Sequence, residues 1–342
     1  MYRLGHGLLQ EVARIMMTFE VRIPAYNRPH MLSRALHSLL AQNYQHWKAV
    51  VFDDSSSSDC QSIVQCIGDK RISYVRNPKN YGAGRNIDQG FDPKAVLGGH
   101  YGCLLEDDNF WLPDFLEMLA GRLNENDCHL VLANQRFNDE GIGLRNRSDT
   151  TRGGWFSDGL IEPLTLRASL FFMEGVSNGG LVWRLESNVD LRVGENVEHG
   201  LHEHSRTLLV KKPFLFIEDA KAVWTNLPMS DSARADDSKR MINRGVQSIR
   251  DYLLRSHGAG VISAARSIAV RMGLLDRFVE ALAYNGYAWS VRDLLRGRWT
   301  EVLRATAKGG ALRVVESDPS ALFLQRVASD DLEGGMFSAS PA

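Results

Sequence analysis

Three polar clusters in this chain carry residue types that could do chemistry. Glu106-Asp107-Asp108-Asn109 places three acids side by side. Adjacent like charges repel, and folding gains little from grouping them. The positive pole of a helix start accounts for one aspartate, but poorly for three. A hard divalent cation accounts for the set better: Mg²⁺ or Mn²⁺ takes one or two carboxylates and leaves its other positions to water and phosphate oxygens. The second cluster is Asp53-Asp54 before the run Ser55–Ser58. Those side chains could cap the amides of a turn, or Asp53 could accept a hydrogen bond from a base or a ribose. Spacing alone does not choose. The third is Tyr26-Asn27-Arg28.

Two further stretches belong with them. Asn80-Tyr-Gly-Ala-Gly-Arg-Asn86 reads as a turn opening a helix, from which Arg85 could reach a phosphate by a forked contact. It matches neither a P-loop nor a G-x-G-x-x-G fingerprint, so neither an ATPase nor a nicotinamide dehydrogenase is supported. Downstream, Glu198, His199, His202, Glu203 and His204 invite a metal reading, with His199 and Glu203 on one helix face. The H-E-x-x-H zinc pattern is absent, and a polar helix face explains the run better. Trp155 and Trp183, with Gly175-Val-Ser-Asn-Gly179, could offer aromatic faces to a ligand or sit in the core.

The elements that must position these groups alternate. Phe19–Ile23 reads as a strand with apolar odd positions, stopped by Pro24; residues 30–41 read as an amphipathic helix through Leu32, Ala35, Leu36, Leu39 and Leu40. Strands follow at 47–52, 72–75, 101–105 and 129–133, with helices at 59–67, 82–90 and from Trp111-Leu-Pro-Asp to about Leu123. Such alternation implies βαβ units and a mostly parallel sheet. Ligands bind outside the carboxyl ends of such strands, and all three polar clusters follow strands. Residues 136–180 are rich in glycine and read as loops facing a substrate. A helix at 195–210 and a strand at 213–218 come next. Beyond Pro228 the pattern is helical: 238–254, 260–273, 275–284 and 288–295. The stretch from Ser329 onward reads as a frayed tail.

Composition is that of a globular protein: 342 residues, 44% hydrophobic, with a net charge of −1, which gives no electrostatic reason to expect nucleic acid binding. Cys60, Cys66, Cys103 and Cys128 form no C-x-x-C pair and suggest reduced thiols and a cytoplasmic location. No window is apolar for the roughly 18 to 20 residues that span a bilayer. Residues 1–17 show only a weak apolar pattern and do not read as a signal peptide. Arg266, Arg271, Arg277, Arg292, Arg296 and Arg298, with Trp289 and Trp299, could make a peripheral contact at the inner membrane face, a homodimer interface or a solvated face.

The motifs taken together resemble the family 2 glycosyltransferases of the GT-A fold. Ile23-Pro-Ala-Tyr-Asn-Arg-Pro29 with Leu32, Ala35, Ser38, Leu39 and Gln42, then Val50-Val-Phe-Asp-Asp54, then Asn80-x-Gly82-x-x-Arg85-Asn86, then Leu105-Glu-Asp-Asp108 with Trp111-Leu-Pro occur in that family's order over roughly residues 18–125. The resemblance implies a Rossmann-like α/β domain over 18–227, with a nucleotide-sugar half at 18–135 and an acceptor half at 136–227. A helical region at 228–328 and a tail at 329–342 would follow, behind an extension at 1–17. It implies a nucleoside diphosphate sugar donor, a UDP-sugar by default, and an acceptor hydroxyl on a glycan, a lipid-linked sugar or a small molecule. Pro24, Ala25, Tyr26, Arg28, Asp53, Arg85, Glu106 and Asp107 would border the donor, and Asp108 would bind Mn²⁺ or Mg²⁺ on its diphosphate. Members invert the anomeric centre and need a carboxylate base. The usual Glu-Asp pair stands here as Glu195-Asn196, so Glu195 is the first candidate base and Glu198 the second. The altered pair also admits a catalytically inactive nucleotide-sugar-binding scaffold. Asn226 sits near the place of a third metal ligand.

Overall fold

A computed structural model of the chain describes residues 16–227, 236–282 and 320–335. Ten strands form one sheet among these residues. The first half follows the expected alternation. Strand β1 (Phe19–Ala25) leads to helix α1 (Pro29–Leu40), β2 (Trp47–Asp53), α2 (Asp59–Ile67), β3 (Ile72–Arg76), α3 (Ala83–Gln89) and β4 (Tyr101–Leu104). The four strands run parallel in the order β3-β2-β1-β4. Pro24 does not stop β1: it pairs in register with Phe52, beyond the β4 ladder, where its missing N–H is not needed.

The second half is mixed. After β5 (Phe110–Trp111) and α4 (Phe115–Glu125) come β6 (Leu130–Asp139), β7 (Gly143–Leu144), β8 (Gly159–Ile161), α5 (Pro163–Ser169) and β9 (Leu181–Arg184). A 3-10 turn at His199–Leu201 leads into α6 (His202–Leu208), followed by β10 (Phe214–Asn226). The helix expected over 195–210 is therefore confined to its second part, because Gly194 at φ 98° and the loop before it are pinned elsewhere, as described below. Strands β6 and β10 are parallel, and β9 runs antiparallel between β4 and β6.

Alternation along the strands divides the core. Phe19, Val21, Ile23 and Ala25 of β1, with Val131 and Ala133 of β6, face α1 and α4; Leu130 and Leu132 of β6 and Trp183 of β9 face the opposite layer. That layer is closed by helices α7 (Asp236–Met272), broken at Gly258, and α8 (Leu275–Leu282), whose Leu253, Val261, Ala265 and Phe278 join its core. Helix α9 (Ser320–Gly335) adds Phe323 and Val327. The frayed tail expected from Ser329 is thus helical to Gly335, held by Asp331, whose carboxylate accepts from Tyr252 at 2.7 Å. The extension 1–15, the 288–295 helix and Arg292, Arg296, Arg298, Trp289 and Trp299 lie outside the described residues. Trp155 and Trp183 are core residues: Trp183 is fully buried with its ring centroid 4.9 Å from that of Phe91.

The even positions of β1 bury a charge pair. Arg22 donates to Glu20 at 2.7 Å, and both are fully buried. Arg22 also donates to the carbonyls of Gly90, Asp92 and Lys94, while Glu20 accepts from the N–H groups of Val96, Leu97 and Gly99. Two side chains thereby satisfy a whole loop between α3 and β4. Removing one partner leaves the other charge buried and alone. Glu20→Ala is expected to destabilise the fold by about 3 to 5 kcal/mol, seen as a lower urea midpoint with an unchanged slope; a loss under 1 kcal/mol would show that water replaces the carboxylate.

Candidate functional site

The order β3-β2-β1-β4 reverses direction at β1, because its neighbours β2 and β4 lie on opposite sides. At such a switch point the loops leaving adjacent strands part and open a crevice. The loop after β1 carries Tyr26-Asn27-Arg28, and the loop after β4 carries Glu106-Asp107-Asp108. They meet across that crevice. The Arg28 guanidinium donates through one terminal nitrogen to Asp107 Oδ1 at 2.7 Å and through the other to Asp108 Oδ2. Asp107 Oδ2 accepts from the Tyr26 N–H at 3.0 Å. Asn27 takes a left-handed φ of 51°, and its N–H donates to Ser55 Oγ at 2.8 Å. Burial pushes the Glu106 and Asp107 carboxyls up from the ordinary carboxylate range, with the neighbouring acids adding to the rise; Arg28 opposes it.

The two aspartates after β2 divide their work. Asp54 accepts from the N–H groups of Tyr81 and Gly82 at 2.7 and 2.8 Å and from Asn77 Nδ2 at 2.9 Å, which closes the turn that opens α3. Gly82 sits there at φ 80°, a conformation side chains disfavour. Asp53 is fully buried, accepting from the Ser55 N–H at 2.9 Å and from the Tyr74 hydroxyl at 2.6 Å. It therefore caps a turn; a carboxylate has further acceptor capacity beyond those two bonds. The Tyr26 ring is 46% exposed beside it, whereas Ala25 is buried and presents its carbonyl to Asp54 and Asn86.

Arg85 stands over the Tyr81 ring at 4.1 Å and donates to Glu195 at 2.7 Å. Two candidates far apart in sequence are thus brought together, on an exposed edge. Glu198 is half-buried, and its carbonyl accepts from Leu201 at the 3-10 turn. Asn226 donates to Asp139 at the end of β6.

The position of Glu195 depends on groups that sequence reading did not single out. Asp88 of α3 accepts from the N–H groups of Val193 and Gly194 at 2.8 and 2.9 Å and from the Arg206 guanidinium of α6 at 2.8 Å. Arg206 is fully buried, lies 3.9 Å over the Phe91 ring, and also donates to the Leu191 carbonyl and to Asn178. Asn178 in turn donates its N–H to Glu203 at 2.7 Å. The next residue, Gly179, lies close to Glu106: a Cβ there would be 3.4 Å from Glu106 Oε2. Burial lowers the His202 imidazole to about 4, so it stands neutral against the Val197 carbonyl. His204 bonds the Met173 carbonyl. His202 and His204 are thus tied to backbone carbonyls, and nothing in the spacing of the run announced Arg206.

Residues 20–177 match the family described as Glycosyl transferase family 2. The chain is 30% identical over 114 residues to the "Putative colanic acid biosynthesis glycosyl transferase WcaA" of Escherichia coli (strain K12), 33% of this chain and 40% of that protein. It is 33% identical over 119 residues to the "GalNAc(5)-diNAcBac-PP-undecaprenol beta-1,3-glucosyltransferase" of Campylobacter jejuni, 34% of this chain and 37% of that one. The chain thus spans well under half the length of these relatives. Among solved structures, residues 1–349 of S. aureus TarS in complex with UDP-GlcNAc superpose with a TM-score of 0.53 over 93% of this chain and 89% of that one, at 16% identity. That likeness supports the GT-A fold.

Truncating Asp88 strands Arg206 and releases the loop before Glu195. Asp88→Ala is expected to cost about 3 to 5 kcal/mol of stability, read by denaturant titration; a near-neutral result would mean that Asn178 and the Leu191 carbonyl suffice for the buried guanidinium.

Proposed function

We propose that the chain is an inverting glycosyltransferase that moves a sugar from a nucleoside diphosphate sugar, by default a UDP-sugar, to an acceptor hydroxyl. The observation that carries this reading is the meeting of the β1 and β4 loops at the switch point, where Arg28 bridges Asp107 and Asp108, Asp107 accepts from the Tyr26 N–H, and Asp53 ends the neighbouring strand. Residues 20–177, which span these loops, match the family. The solved TarS segment has been captured with UDP-GlcNAc and with UDP.

In this reading the exposed Tyr26 ring and the Asp53 carboxylate take the base and ribose, and the backbone of Pro24 and Ala25 forms the wall behind them. Asp107 faces the ribose side. Arg28 and Arg85 lie toward the diphosphate. The hard carboxylate oxygens at 106–108 suit Mg²⁺ or Mn²⁺, and the guanidinium already seated on them shows that the pair attracts positive charge. Asp108, the more accessible of the two paired acids, would hold the ion; when bound, such an ion neutralises the departing nucleoside diphosphate. Inversion requires a carboxylate to take the proton from the acceptor hydroxyl as its oxygen attacks the anomeric carbon. Glu195 is the first candidate, once the entering donor draws Arg85 away, and Glu198 the second. The acceptor is a hydroxyl on a glycan, a lipid-linked sugar or a small molecule. The lipid-linked class is favoured by the undecaprenol-linked substrate in the name of the Campylobacter relative. Among the described residues no helix is long and apolar enough to cross a membrane.

Two measurements test this reading. Asp53→Ala should weaken UDP binding by about tenfold to a hundredfold, as loss of one bond to a buried charged acceptor does, in Mn²⁺ and in chelator alike. Asp108→Ala should remove only the metal-dependent part. If Asp53→Ala lowers the melting temperature and leaves the affinity of the folded protein unchanged, Asp53 is a turn cap alone. Separately, Glu195→Gln should keep donor binding and lower transfer by roughly 10²- to 10⁴-fold. Transfer at the parent rate in Glu195→Gln, with loss in Glu198→Gln, would move the base to Glu198; full activity in both would place it elsewhere. No release of UDP from any UDP-sugar by the parent protein would favour a binding scaffold.

A further inference from the structure

We propose that Arg28 is a tethered cation that holds the place a divalent ion would take on Asp108, so that guanidinium and ion are alternative occupants of the acid pair. This rests on the reading of the crevice as a nucleotide-sugar site, but its chemistry concerns only this chain's own residues.

The geometry supports it in three ways. First, the guanidinium spends its two terminal nitrogens on two different carboxylates, Asp107 and Asp108, and so sits between them. A fork that bridges two acids supplies the neutralisation that a metal would otherwise supply. Second, the two bonds differ in permanence. Asp107 is buried and already held by the Tyr26 N–H, so its carboxylate stays in place whoever the cation is. Asp108 is accessible, and Arg28 is itself about one-third exposed at 35%, so the Arg28–Asp108 contact is the one that can open to solvent. Third, the Arg28 backbone is fixed apart from its long side chain. It stands just ahead of α1, its carbonyl accepting from the Leu32 N–H at 2.9 Å. A side chain displaced from Asp108 therefore stays tethered at the mouth of the crevice, beside the place for the diphosphate. The flexible, monodentate alternative, lysine, lacks the fork and would bridge the acids less well.

The consequence is linkage. Without nucleotide the ion must displace a resident positive charge and binds weakly; a diphosphate offers the displaced guanidinium a new anionic partner and so strengthens ion binding. Arginine here makes metal loading depend on donor loading.

The test is titration of Mn²⁺ into nucleotide-free protein, following free Mn²⁺ by its electron paramagnetic resonance signal. Arg28→Met should bind Mn²⁺ about tenfold tighter or more than the parent, since a competing charge is gone from two carboxylates, and Arg28→Lys should fall between. Adding Asp108→Asn to Arg28→Met should abolish the gain, locating it. Adding UDP should tighten Mn²⁺ binding in the parent more than in Arg28→Met. Equal or weaker Mn²⁺ binding in Arg28→Met, or no Mn²⁺ binding in any variant with circular dichroism showing them folded, would overturn the proposal. The donor reading fails separately: if Arg28→Met gains Mn²⁺ but no variant binds UDP, the exchange stands and the nucleotide assignment falls. If UDP binds and Mn²⁺ affinity ignores Arg28, the reverse holds.

Discussion

The buried contact between Asp88 and Arg206 ties the two halves of the candidate site together. One partner sits on α3, whose N-terminus is locked to the strand edge by Asp54; the other sits on α6, in the half that the family resemblance barely reaches. A guanidinium in an apolar layer cannot be left unpaired, so every group around it must converge: the Leu191 carbonyl, Asn178, the Phe91 face and the aspartate. The loop before Glu195 has no freedom of its own. It hangs from the same carboxylate by two N–H bonds. The placement of Glu195 beside Arg85 thus follows from satisfying one buried charge.

Buried ions recur in this fold, and they are placed where loops need many partners. Glu20 and Arg22 organise the stretch between α3 and β4 in the same way, from the even face of β1. The difference lies in what the ions face. The Glu20–Arg22 pair is sealed against backbone and has no access to a ligand. The Arg28 fork is half-open to the crevice and is set against acids that outnumber it. Carboxyls pushed up by burial and by neighbouring acids in a cleft mark a candidate functional site.

Most of the first half was legible because its signals are local. Period-two alternation marked β1, the Leu32–Leu39 stripe marked α1, and the acids after β4 stood where a parallel sheet presents its strand ends. What failed was set by distant partners. The stop expected at Pro24 was wrong because β1 outlasts its pairing with β4 and needs no donor there. The 195–201 stretch looked helical, yet Asp88 pins the Val193 and Gly194 N–H groups just ahead of it, and only a 3-10 turn forms before α6. The short strands β5, β7, β8 and β9 have too few residues to show a period, and β9 exists only because β4 and β6 flank it. Asp53 was readable as either ligand or cap, and the Tyr74 hydroxyl that buries against it has no sequence signature at all.

Strand β9 also sets the order in which the chain can assemble. Tyr101 of β4 pairs with Arg184, 83 residues later. As the polypeptide leaves the ribosome, the β3-β2-β1-β4 unit can form from contiguous βαβ segments, but β4 then ends it as an unpaired edge carrying Gly102 and Cys103. Open edges of this kind recruit other strands, and domains caught in that state aggregate. The edge closes only when four residues, Leu181–Arg184, arrive and dock antiparallel between β4 and β6. Gly102 makes that docking possible, since the Trp183 indole lies where a Cβ would be, 2.5 Å from its nearest ring carbon. Joining the sheet's two halves is thus a late, long-range event in the birth of the protein, and fragments ending before residue 181 would lack the strand that finishes it.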